Sequence, residues 1–278
     1  MALSIRQQAT NYTVYPEVPL QAVFPAPVLA NSLLVVFVFG NRTSFDFNQD
    51  AEIFLSSPPT VDDINGSTLT SIDPTIASNK GDVFTVRAKF VNIFTELSSS
   101  PPVLQSPPVV SPDASGYYPS LFAYTATATA GDQTITVIDS GLSLSSPPNF
   151  FSPPTVGRPA FDGGLRVSAF EIIGKYNGTG QTAFDKAFQA IGMGPVVVGN
   201  GIITPTNANE LVMEAIVMID SSAIGLGTGA TFQQSHSLPA GSSHLMIQST
   251  LQGGSAVPNA GFGDPISYAA AVVALALE

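Results

Sequence analysis

The chain has 278 residues, no cysteine, and a formal charge of −11 from 9 basic and 20 acidic residues. Disulfides and thiolate metal sites are excluded, and the scattered basic residues offer no concentrated positive field to a nucleic-acid backbone or an anionic membrane. Charged residues make up 10 % of the sequence against a usual ~25 %, so the surface is built largely from Ser, Thr, Asn, Gln, Gly and Pro, as in proteins that pack against copies of themselves or sit outside cells.

Residues 1–27 read as an extended N-terminal arm, punctuated by Pro16, Pro19, Pro25 and Pro27. Met1–Thr10 lacks a basic region followed by an apolar one, so no secretory signal is read there. Proline lacks the donor that a central strand needs, so this arm should lie along a sheet edge or reach a neighbouring subunit. Residues 28–278 read as one β-sandwich domain. The apolar run Leu33–Phe39, closed by Gly40, is rich in Val and Phe and far shorter than the ~20 residues of a membrane helix. It reads as a strand buried on both faces. Glu210–Ile219 and Tyr268–Leu277 answer it, and the three together are expected to form the centre of one core.

Between them, Asn65-Gly66 marks a hairpin turn. Asp82–Phe94 alternates, with Phe84, Val86, Ala88 and Phe90 expected to face the core. Ser-Pro-Pro occurs five times, without a fixed period, and two stretches, 97–119 and 144–160, read as stiff Pro-rich loops. Leu121–Ala130 and Gln133–Ile138, joined through Gly131-Asp132, suggest a second hairpin. Arg166–Ile173 reads as a strand stopped by Gly174. Thr182–Gly192 reads as a short helix: Thr182 and Asp185 resemble a capping box, and Phe184, Ala187, Phe188 and Ile191 share one helical face. With further strands to the C-terminus, the expected fold is all-β, a two-sheet antiparallel sandwich of jelly-roll type with one short helix.

No catalytic, cofactor-binding or metal-binding residue is assigned, and no cofactor is expected. His236 and His244 lack the spacing and companions of a zinc site. No Gly-x-Ser-x-Gly elbow is present. Asp62, Asp63 and Asn65 read as turn formers rather than calcium ligands. Glu171 and Glu214 lie inside apolar strands and could in principle form a glycosidase pair. A carboxylate there is more often on the wet face or paired with a cation such as Arg166.

Asn31-Ser-Leu-Leu-Val-Val, Pro59-Thr-Val-Asp-Asp-Ile-Asn-Gly-Ser-Thr-Leu-Thr, Ala130-Gly-Asp-Gln-Thr-Ile-Thr-Val, Ser168-Ala-Phe-Glu-Ile-Ile-Gly and Thr206-Asn-Ala-Asn-Glu-Leu-Val follow one another in that order. In this series the chain resembles jelly-roll β-sandwich domains of tailed-phage virion proteins and bacterial surface proteins, over roughly residues 28–277. It departs from them at Ile172, where an aromatic residue is preferred, and in its Pro-rich insertions. The resemblance implies a setting on the outside of particles or cells and no reaction. The expectation is a non-enzymatic structural protein of a virion, a capsid decoration or a tail or fibre subunit. It would be made in the host cytoplasm and act as a homo-oligomer with other virion proteins. The alternative is a glycan-binding or adhesive module at a cell surface, where a host glycan would be the partner; a carbohydrate-active enzyme stands third.

Overall fold

The computed structural model describes residues 3–13, 19–43, 45–46, 68–71, 73–90, 94–96, 103–105, 117–138, 142–145, 164–174, 183–192, 206, 210–219, 232–237, 244–251 and 268–277. The first strands are β1 (Ser4–Thr13), β2 (Leu20–Val23), β3 (Leu33–Thr43), β4 (Phe45–Asp46), β5 (Thr68–Ser71) and β6 (Thr75–Ser78). Next come β7 (Thr85–Phe90), β8 (Phe94–Glu96), β9 (Val103–Gln105), β10 (Tyr117–Thr127), β11 (Thr134–Ile138) and β12 (Leu142–Ser145). The series ends with β13 (Leu165–Ile173), β14 (Phe184–Gly192), β15 (Leu211–Ile219), β16 (Phe232–Ser237), β17 (His244–Leu251) and β18 (Tyr268–Leu277). Among the described residues there is no helix, and all pairings but the short β4–β8 contact are antiparallel.

A five-stranded sheet of order β1-β13-β3-β10-β7 forms the middle layer. A second five-stranded sheet, β14-β18-β15-β17-β16, covers one face, and the small sheet β2-β11-β6 covers the other. The run at 33–39 dictates this layering. Successive side chains of a strand point to opposite faces, so Leu33, Val35, Phe37 and Phe39 join one core while Leu34, Val36 and Val38 join the other. The first core is completed by Leu211, Met213, Ala215, Leu275 and Leu277, as expected of the three long apolar stretches. Phe37 and Phe170 meet there edge to face, 6.2 Å between centroids. The second core adds Leu20, Ala22, Ile135, Val137, Val167 and Ala169. Each fully buried aliphatic or aromatic side chain contributes about 1.5–3 kcal/mol, so β3, lined on both sides, is the best-anchored strand of the fold.

Several expectations change. Residues 184–192 are strand β14, not a helix, paired with β18 from Phe184↔Leu277 to Gly192↔Ala270. The register shifts between Phe184 and Lys186, so Asp185 is a bulge residue. That extra residue brings Phe184 and Ala187 onto the same face, where both pack on the first core. A bulged strand thus reproduces the i, i+3 spacing that suggests a helix. Gly131-Asp132 closes no hairpin, because β10 pairs with β3 and β7 while β11 pairs with β2 and β6. The turn is a corner that carries the chain from the middle sheet to the small one. It is fixed by the Gly131 and Val28 N–H groups, each donating to the other residue's carbonyl at 2.9 and 2.8 Å. Gly131 has φ +115°, and a Cβ there would lie 3.2 Å from Lys80 Nζ. Phe84, just ahead of β7, packs on the second core and Ala88 in β7 is buried in the first, but Val86 is 41 % exposed. The Asn65-Gly66 turn lies outside the described residues, as do most of 97–119 and 144–160; β5 pairs with β12. Residues 4–13 and 20–23 of the Pro-rich arm are edge strands of the middle and small sheets.

Candidate functional site

The most developed polar constellation lies where the N-terminal strand meets the middle sheet. β1 pairs with β13, and its register shifts between Ile5 and Gln7, so Arg6 is an extra residue. A bulge places two successive residues opposite one. Here Arg6 and Gln7 both reach Glu171, whose side chain is 0 % exposed. Glu171 Oε2 accepts from Arg6 Nη1 at 2.5 Å and from Gln7 Nε2 at 2.6 Å, and Oε1 accepts from the Leu29 N–H at 2.7 Å.

The donors are themselves tied to the segment after β2. Arg6 Nη1 donates to Pro27 O at 3.0 Å, and Gln7 Nε2 to Ala26 O at 3.0 Å, while the Ala26 N–H donates to Gln7 Oε1 at 3.1 Å. Asn11 Nδ2 donates to Gln21 O at 2.7 Å. The Glu171 carboxylate therefore locks three segments together: β13, β1 and residues 26–29. Buried carboxylates persist when paired and hydrogen-bonded on both oxygens, and this one is. Its chemistry is positional; both oxygens are already engaged within the chain.

A second polar node holds the corner at 129–134. Asp82 accepts from Ser78 Oγ at 2.9 Å, from the Thr129 N–H at 2.9 Å, and from Gln133 Nε2. Asn79 Oδ1 accepts from the Thr134 N–H at 3.0 Å. A third engages the bulge of β14, where Asp185 accepts from the Thr206 N–H at 3.0 Å and from Thr206 Oγ1 at 2.9 Å. Burial pushes the Asp185 carboxyl upward, but the two Thr206 bonds and Lys186 outweigh it and hold it below the ordinary carboxylate value.

Glu171 and Glu214 are not brought together. Glu171 shares its face of β13 with Val167 and Ala169, in the second core. Glu214, also buried, lies on the face of β15 opposite Met213 and Ala215, away from the first core. Two sheets separate them. Arg166 does not serve Glu171; its guanidinium lies 5.0 Å from the Tyr12 ring centre, and burial draws its pKa below the ordinary value. His236 pairs with Leu245 and His244 with Ser237, ladder positions of opposite parity on neighbouring strands. Asp62, Asp63 and Asn65 lie outside the described residues. Among the described residues, no group of three or more His, Cys, Asp or Glu could hold a metal ion, and no helix is long and apolar enough to cross a membrane.

The sequence points to Glu171 as an acid in an apolar strand. It does not point to Arg6 and Gln7, more than 160 residues away, because nothing local marks the bulge. Compared with known proteins, the chain matches no family model, no curated protein and no solved structure.

Proposed function

We propose that this chain is a structural protein of a virion, a capsid decoration or a tail or fibre subunit. It acts by assembling with copies of itself and with other virion proteins. The observation that carries this reading is the strand order over Ser4–Ile173. The middle and small sheets together hold eight strands. When these eight alone are numbered along the chain, leaving out β4, β5, β8, β9 and β12 of the smaller sheets, the middle sheet runs first, eighth, third, sixth, fifth, and the small sheet second, seventh, fourth. A jelly roll, eight strands in two Greek keys, places its first, eighth, third and sixth strands in one sheet and the other four in the second.

The fifth strand alone departs, since β7 sits beside β10 rather than beside β6. This supports a jelly-roll reading of the N-terminal part, with the sheet β14-β18-β15-β17-β16 added to its outer face. The same class of fold builds viral shells, and the charge-poor surface suits dense packing against identical neighbours. Light scattering after size exclusion, with negative-stain microscopy, tests the reading. A defined symmetric oligomer is expected. A strictly monomeric protein across micromolar concentrations that binds glycans on an array would replace it with the adhesive alternative.

A further inference from the structure

β1 is a ten-residue strand with slight apolar anchorage. Within it only Ala9 is buried, with Leu3 just ahead. The rest is held by half-buried Ile5 against the first core, by the ladder to β13 and by the Glu171 lock. Apart from that lock, few buried apolar contacts oppose the opening of β1. The seat it leaves is another matter. Without Arg6 and Gln7, Glu171 would be a buried carboxylate stripped of its cation, a strongly destabilising state. The seat therefore has to be refilled by a strand with the same side chains at the same spacing, which a second copy of this chain supplies. Edge-to-edge pairing of β1 with another strand is disfavoured, because the bulge and its arginine interrupt the outer ladder.

We propose that β1 is exchanged between copies of this chain. The β1 strand of one copy seats on β13 and on residues 21–29 of a second copy, and its Arg6 and Gln7 close on Glu171 there. This rests on the self-assembly reading above and names its partner and its point of contact. Exchange of an identical element leaves every contact in place. The connection from Thr13 to Leu20 spans at most about 24 Å when extended, which limits how far apart donor and acceptor seats lie.

The absence of cysteine makes the test direct. Thr10 opposes Ser168 and Asn11 opposes Val167 across the ladder. These neighbouring pairs sample the two alternating geometries of an antiparallel ladder, so one of them has the closer spacing that suits a disulfide. Full-length chains carrying Thr10→Cys are co-expressed with chains carrying Ser168→Cys, and likewise Asn11→Cys with Val167→Cys. The expected result is a covalent dimer of one chain of each kind, seen without reductant, in at least one combination. The doubly substituted chains serve as the reference for closure. Doubly substituted chains that close wholly within themselves, with no covalent dimer from either mixture, would overturn exchange. The mass of the parent is read alongside by light scattering. An oligomeric parent with no mixed dimer overturns exchange and leaves self-assembly standing; a monomeric parent overturns both.

Discussion

β3 and β1 lie in the same sheet with only β13 between them, yet different physics holds each. β3 sends alternate side chains into two cores, and Leu34 to Phe39 are all 0 % exposed. β1 contributes one buried alanine and the half-buried Ile5, and otherwise relies on backbone pairing and a single buried carboxylate on its neighbour. Burial over an area is tolerant of detail, because many contacts share the load. A polar lock is not, because removing one donor strands the other partner. Core strands and edge strands of one sheet should therefore fail in different ways.

The largest effect is expected at the centre. Val36 lies opposite Tyr124 on β10 and Ala169 on β13, and is 0 % exposed. Val36→Asp buries an unpaired carboxylate in the second core, at a cost of about 4 kcal/mol or more. The variant should lack a cooperative denaturant transition and a native near-ultraviolet spectrum. A variant that melts like the parent would remove β3 from the centre of the fold.

Next comes the lock. Arg6→Ala should cost about 2–3 kcal/mol, because the buried Glu171 carboxylate loses its cationic partner. In a Glu171→Gln background the same substitution should cost under about 1 kcal/mol, since no buried charge is left behind. Denaturation midpoints of the four proteins in this cycle give the coupling. Equal costs in both backgrounds would show that Arg6 acts only through packing.

This contrast also explains what was legible in the residues. The run Leu33–Phe39 announces a two-faced strand because its signal is local, and β15 and β18 are legible for the same reason. The lock was not legible, because Arg6 and Glu171 meet only through strand pairing between segments 165 residues apart. The short stretch at 184–192 misled because a single bulge residue, Asp185, converts a period of two into a spacing of three. The corner at Gly131-Asp132 misled for a related reason. Turn residues report that the chain turns, not which sheet it joins next.

That corner supplies a smaller effect. Gly131 holds φ +115° against the side chain of Lys80. Gly131→Ala should cost about 1–2 kcal/mol from backbone strain, with the β spectrum retained. Thermal or chemical denaturation reads it directly, and an unchanged midpoint would mean that the corner relaxes freely.

The smallest effect sharpens the comparison at the other outer sheet. β14, like β1, is an edge strand with a bulge, and in both the extra residue is charged: Arg6 in one, Asp185 in the other. Such bulges blunt an edge against unwanted pairing. Asp185 differs in being tied to Thr206 by neutral donors and to the adjacent Lys186 at 3.5 Å, not to a buried counter-charge. Its carboxyl is held below the ordinary value. A carboxyl with a depressed folded-state pKa adds stability that is full above the unfolded value, about 3.9, and lost as pH falls through the folded one. Asp185→Asn should therefore leave stability at neutral pH nearly unchanged if the amide oxygen still accepts from Thr206, while flattening the acid side of the stability curve. Denaturation midpoints from pH 7 down to pH 2 read this, with the parent losing more stability than the variant below about pH 4. Parallel curves for the two proteins would mean that the Thr206 bonds do not select the ionised form, and the bulge of β14 would then be a steric device alone.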